Sequence, residues 1–187
     1  RAALGAYHQP PFYRELRRFD GSVNKELKAQ KSWQGVAGFD YNFIGLNNRP
    51  MRWTTEIYYK HMTDVVPYDI DNVRLRYFGE NNAKAYAAGL EMRLNGELVP
   101  DAESWISLGI MKTGEDIEND FFKVYKLDSL NQPIDSSVTQ HGYLRRPTDR
   151  RITFGMYFSD YLSTNKNFKV YLNLLYGSNL PYNIPGS

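Results

Sequence analysis

Three histidines, His8, His61 and His141, are the only imidazoles in the chain, and no two stand four apart as a helical zinc pair does. Solvated histidines at the ends of extended segments or in loops account for them. Carboxylates gather twice: Asp64, Asp69, Asp71 and Glu80 in "TDVVPYDIDNVRLRYFGENNA", and Glu115, Asp116, Glu118 and Asp120 in "GEDIENDFF". Alternating carboxylates can bind Ca²⁺, but neither run has the glycine and terminal glutamate of a calcium loop. A solvated acidic loop is therefore the expectation. "YLRRPTDRR" packs Arg145, Arg146, Arg150 and Arg151 around Asp149. Guanidinium forks match carboxylates and phosphates, so this cluster could hold an anionic ligand. Its plainer reading is local ion pairing where a loop rejoins a sheet. Ser104, Ser107 and Ser159 show no histidine patterned beside them as a base for a nucleophile. The sequence has no cysteine, which removes disulfides, thiolate zinc sites and cysteine nucleophiles. No enzyme activity, metal site or cofactor is expected.

These residues hang on strands. "KSWQGVAGFDYNF" (31–43) places Trp33, Gly35, Ala37, Phe39, Tyr41 and Phe43 on one face. Ser32, Gln34, Gly38, Asp40 and Asn42 stand on the other, with Val36 as the exception. The same period of two recurs at about 2–9, in "MRWTTEIYYKHM", in "KAYAAGLEMRLNG", in "SWISLGIMKT", in "RRITFGMYFSDY" and in "NFKVYLNLLYG". That makes about seven strands, each near the roughly 9–11 residues of a tilted barrel strand. The polar face is expected to carry Gln34, Asp40, Arg52, Glu56, Lys60, Glu91 and Arg93 between Gly38, Gly89, Gly109 and Gly155. Such a charged, glycine-spaced face suits the inner wall of a wide barrel with another element close by. Only a turn at 13–19, "YRELRRF", hints at helix.

The connections alternate short and long. "IGLNNRP", "ELVPDAE" and "LSTNKN" are short and rich in turn residues. Those at about 10–30, 63–83 and 112–149 exceed the usual length of loops in compact domains. Short turns on one rim and long loops on the other are the signature of a transmembrane β-barrel. Aromatics near strand ends read as two interfacial girdles: Phe43, Trp53, Tyr161 and Phe168 towards the short turns, Tyr59, Tyr86 and Tyr176 towards the long loops. The alternative is a soluble antiparallel β-domain with aromatic cross-strand pairs, acting as a carbohydrate- or protein-binding module.

Composition is compatible with either. The 187 residues carry 23 basic and 21 acidic side chains, a net charge of +2 that argues against nucleic-acid binding. Mean hydropathy is −0.58, and no apolar stretch is long enough for a spanning helix. A β-barrel also averages out this way, because every second residue faces lipid. The opening "RAALGAYHQ" reads as the middle of a strand, so a fragment is expected.

"NKELKAQKSWQGVAGFDYNF" (24–43) resembles the asparagine-proline-x-leucine-lysine-proline-glutamate-x-serine segment of TonB-dependent outer-membrane receptors. Asn24, Leu27, Lys28 and Ser32 match. Lys25, Ala29 and Gln30 replace the two prolines and the glutamate. "YHQPPFYRELRRFDG" is similar to the strand exit of that family. "EIYYKHMTDVVPYDIDNVRLRYFGENNAKAYAAGLEM" and "YLRRPTDRRITFGMYFSDYL" look like barrel segments of Bacteroidetes-type members. The resemblance covers the whole chain, 1–187. It implies an all-β, antiparallel transmembrane barrel segment, about seven of 22 strands, with short periplasmic turns and long extracellular loops. The plug domain, the TonB box and the remaining strands would lie outside this chain.

The expected function is outer-membrane import of a scarce solute (siderophore, vitamin, glycan or peptide) in a Gram-negative bacterium. Tyr68, Asp69, Asp71, Arg145 and Arg146 in the long loops are expected to touch ligand. Gln34, Arg52, Glu56, Glu91 and Arg93 are expected to line the lumen or hold the plug. The resemblance implies as partners the TonB complex, the plug domain and outer-membrane lipid. It leaves open a surface lipoprotein.

Overall fold

The computed structural model describes residues 1–45, 48–71, 74–99, 102–127, 132–162 and 164–181. Seven strands form one sheet: β1 (Ala2–Gln9), β2 (Gln30–Ile44), β3 (Pro50–Val65), β6 (Ala83–Val99), β7 (Ala102–Ile117), β10 (Ile152–Leu162) and β11 (Asn165–Gly177). Their spatial order is β1-β2-β3-β6-β7-β10-β11, every neighbour antiparallel. This is an up-and-down meander, the arrangement that needs no crossover. No α-helix occurs among the described residues. The sheet is open: β1 pairs only with β2 and β11 only with β10.

The seven segments read from alternation are the seven strands of this sheet, but their lengths were underestimated. β3 and β7 each run 16 residues and β6 runs 17. The long connections also differ from plain loops. Two of them fold into hairpins, β4 (Tyr68–Asp71) with β5 (Arg74–Tyr77), and β8 (Phe121–Leu127) with β9 (Pro133–Gln140). "RLRY" alternates but is only four residues long, and "FKVYKL" loses its alternation at Val124–Tyr125, so neither stands out beside the seven other runs. Residues 13–19 make hydrogen-bonded turns, with Glu15 N–H donating to the Phe12 carbonyl at 2.9 Å, and no helix. The turn residues 46–47, 100–101 and 163 and the tail 182–187 fall outside the described residues.

Register sorts the side chains into two faces. One cross-strand row of the apolar face reads Phe39, Thr55, Met92, Leu108, Phe154 and Tyr176. The next reads Ala37, Ile57, Leu90, Ile110 and Ile152. At the long-connection end this face ends in His8 opposite Lys31 and Lys84 opposite Asp116. Tyr161 is a correction to the expected girdle. It shares the polar face with Tyr157 and Ser159, and the Lys169 ammonium lies 5.3 Å from its ring. A register shift between Tyr161 and Leu162 breaks the alternation just there.

Among the described residues no second layer covers the middle of the apolar face. Leu4 is 92% exposed and Trp33 64%. The chain exposes 13790 Å² in all, where a compact globular protein of 21.8 kDa exposes about 9,300 Å². Among the described residues the buried apolar cluster, Val65, Ala83 and Ala85 with Met62 and Ile117 against it, sits at the long-connection end and leaves the middle of the strands bare.

Candidate functional site

At the long-connection end, residues 10–29 fold back on the segment that carries β4 and β5. Asn81 ties them: its Oδ1 accepts from Lys28 N–H at 2.7 Å, and its Nδ2 donates to the carbonyls of Lys28 at 3.0 Å and Asp64 at 2.7 Å. Asn24 Nδ2 donates to the Gly79 carbonyl at 2.8 Å. Gly79 is in the left-handed region at φ 71°, and a Cβ there would also lie 2.8 Å from Arg18 Cγ. Two of the residues that carry the family resemblance therefore work as anchors here, Asn24 by that bond and Leu27 by burial. Glu15 is 5% exposed. Its carboxylate accepts from Phe12 N–H at 2.8 Å and from Gln30 Nε2 at 3.0 Å.

Between these two segments lies a cavity of about 250 Å³, lined by Tyr13, Arg14, Arg17, Arg18, Phe19, Leu75, Arg76 and Tyr77. Arg18 pairs with Glu80 at 3.4 Å. The Arg76 guanidinium lies over the Phe19 ring at 4.9 Å, and Phe78 meets that ring edge-on at 4.8 Å. Arg17 donates to the Tyr13 hydroxyl at 3.3 Å. Among the described residues neither Arg14 nor Arg17 forms an ion pair. Burial, and behind it the Glu15 carboxylate, pushes the Tyr77 phenol above its ordinary pKa, so it stays a neutral donor.

The second cluster expected from sequence closes on itself. Asp149 is 1% exposed. Its carboxylate accepts from Thr113 N–H at 2.7 Å and from Arg151 Nε at 2.7 Å, with Arg145 at 3.9 Å. Thr113 lies beyond the last residue of β7 that pairs with β10, so the Asp149 side chain replaces a ladder partner. Arg146 pairs with the buried Glu115 at 3.3 Å and lies 6.0 Å from the Tyr68 ring. Arg146 is thus held by a carboxylate, while Arg145 stays exposed and reaches Asp149 only at 3.9 Å. Asp69 accepts from Ile70 N–H at 2.7 Å and sits opposite Arg76 in the β4–β5 register. The side chain of Asp71 lies outside the described residues.

Several carboxylates of the acidic runs are also partnered: Asp64 with Lys31 at 3.0 Å, Glu118 with Lys84 at 4.0 Å, and Asp120 with His141 at 3.2 Å. Among the described residues no group of three His, Asp or Glu side chains is placed to hold a metal ion.

Gln34, Arg52, Glu56, Glu91 and Arg93 do share one face. Arg52 lies opposite Asn42 and Asn95, Glu56 opposite Glu91, and Arg93 opposite Thr54 and Ser107. Asp40 gathers Arg52 at 2.9 Å, Thr54 at 2.8 Å and Arg1 at 3.4 Å, and Arg1 also reaches Glu56 at 2.8 Å. The glycines of this face lie close against their own cross-strand neighbours. A Cβ on Gly38 would lie 2.6 Å from the Thr55 carbonyl and 2.8 Å from Glu56 Cγ. One on Gly155 would meet Ser107 at 2.9 Å and Trp105 at 3.0 Å, and the Tyr58 ring crosses Gly89. Their own cross-strand neighbours fill the space.

Sequence reasoning missed an aromatic row on the polar face. Arg93 lies over Trp105 at 4.9 Å, Trp105 stacks on Tyr157 at 6.3 Å, Tyr157 meets Tyr171 at 6.2 Å, and Lys169 lies 5.6 Å from Tyr171. Only the register brings these aromatics side by side. It also missed the arginine-lined cavity, whose signal was three arginines within "YRELRRF" between two aromatics.

Comparison with known protein families, curated proteins and solved structures returned no match.

Proposed function

We propose that this chain is part of the outer-membrane barrel of a solute receptor of the TonB-dependent type, with the apolar face in lipid and the polar face towards an aqueous bore. The observation that supports this reading is the bare apolar face of a single seven-stranded sheet. A soluble β-domain of this size buries that face under a second layer. From Trp33 to Phe43 the apolar side runs ten residue steps, about 33 Å along the strand and about 25 Å after a tilt of about 40°. That is the height of the apolar band of an outer-membrane barrel. Lys31 and Lys84 at its end suit the headgroup level.

In this reading the hairpins and residues 10–29 face the outside and meet solute first. The ion network on Asp40 and the row from Arg93 to Lys169 line the path or touch the plug. The chain binds and conducts; none of these residues makes or breaks a covalent bond. Membrane fractionation of cells making the full-length protein tests the reading. It should stay in the membrane pellet through an alkaline carbonate wash and come out only with detergent. Release as a monomer into plain buffer would instead support the soluble binding module.

A further inference from the structure

We infer that the cavity between residues 10–29 and the β4–β5 hairpin is the seat for an acid-bearing ring at the end of the solute, its acid group held by Arg14 and Arg17. The inference rests on the receptor reading for its biological meaning, but the cavity's chemistry stands on its own residues.

Charge accounting comes first. Four arginines line the cavity. Of the nearby carboxylates, Glu80 pairs with Arg18, while Glu15 and Asp20 keep their charge but turn their oxygens to neutral donors, Glu15 to Phe12 N–H and Gln30 and Asp20 to Ser22 N–H and hydroxyl. Arg14 and Arg17, which form no ion pair among the described residues, present guanidinium donors with no carboxylate on them at a concave surface. Concave positive sites focus field and recruit anions, and guanidinium forks bind carboxylate or phosphate bidentately.

The walls set the rest of the ligand. Leu75, Tyr77 and Phe19 are apolar or aromatic. Phe19 already has Arg76 on its face and Phe78 at its edge, whereas Tyr13 is 74% exposed and keeps its ring open. A planar ring can stack there while the attached anion reaches Arg17, which already bonds the Tyr13 hydroxyl. Size limits the occupant. About 250 Å³ falls below the roughly 300–1,000 Å³ that whole drug-sized ligands fill. The cavity therefore takes one substituted ring, with the rest of the solute outside it.

The test uses the full-length protein in detergent, with phenyl phosphate, inorganic phosphate and phenol as probes, followed by titration calorimetry at low and high salt. Phenyl phosphate should bind saturably and more tightly than inorganic phosphate, phenol should not bind detectably, and higher salt should weaken binding. R14Q/R17Q should weaken phenyl phosphate at least tenfold while keeping the heat-modifiable band of the folded barrel. Tyr13→Ala should erase the preference for phenyl phosphate over inorganic phosphate. Equal binding of phenol and phenyl phosphate, unchanged affinity in the folded double variant, or no saturable binding would overturn the inference. Membrane insertion is read separately by fractionation, so failure of the cavity and failure of the receptor reading give different results.

Discussion

At the scale of single residues, the buried Asp149 works as sheet repair. Asp149 supplies the acceptor that β10 has not yet begun to provide, and it neutralises Arg151 in the same place. Asp149→Ala leaves the Thr113 N–H without its acceptor and Arg151 without its anion. The variant should lose about 1–3 kcal/mol in urea unfolding from lipid vesicles, while Asp149→Asn should lose less. Gly38 makes a second residue-scale prediction. A methyl group there meets the Thr55 carbonyl, which belongs to the ladder and cannot swing aside. Gly38→Ala should cost about 1–3 kcal/mol in the same assay. Gly21, with nothing within 4 Å of a Cβ but a φ of 86°, should pay only a backbone penalty of about 1 kcal/mol when changed to Ala.

At the scale of elements, alternation carried most of the fold. The run from Lys31 to Phe43 marks β2 to within one residue at each end, because a period of two over so long a run has no other cheap explanation. The β4–β5 hairpin was illegible: four-residue strands give too few alternations to separate from a loop. The site was legible by face and illegible by pairing. Gln34, Arg52, Glu56, Glu91 and Arg93 share a face as alternation requires, but the Trp105–Tyr157 stack depends on which residues lie opposite, and that is set by register. Arg146 pairs with Glu115, which sits 31 positions away in sequence, so no local reading of "YLRRPTDRR" shows that partner.

Neighbouring residues on one strand give the sharpest element-scale contrast. Leu90 stands between Ile57 and Ile110 on the apolar face, and Glu91 between Glu56 and Gly109 on the polar one. If lipid wets the first face, Leu90→Arg should destabilise the barrel in vesicles by about 2–4 kcal/mol. Glu91→Arg removes a like-charge pair with Glu56 and should change stability by less than about 1 kcal/mol. Equal costs at the two sites would argue that both faces meet the same medium.

At the scale of the whole molecule, the sheet has two unpaired edges, β1 and β11, and one uncovered face. Bare strand edges are costly in hydrocarbon, where no water satisfies the backbone. In the receptor reading further strands continue the sheet on both sides until it closes. The asymmetry of the ends follows the same logic. Short connections cap one rim, while the other carries both hairpins, the small buried cluster and the arginine-lined cavity. Structure accumulates where the chain leaves the sheet and can bury something.

The most direct measurement is the accessibility of nitroxide labels at Phe39, Leu90, Phe154 and Leu172 in the full-length protein in vesicles, with Arg52 and Glu91 as polar-face counterparts. The account predicts strong relaxation by oxygen and little by a water-soluble nickel complex at the four apolar-face sites, and the reverse at Arg52 and Glu91. Apolar-face labels shielded from both reagents, as inside a packed protein core, would contradict it.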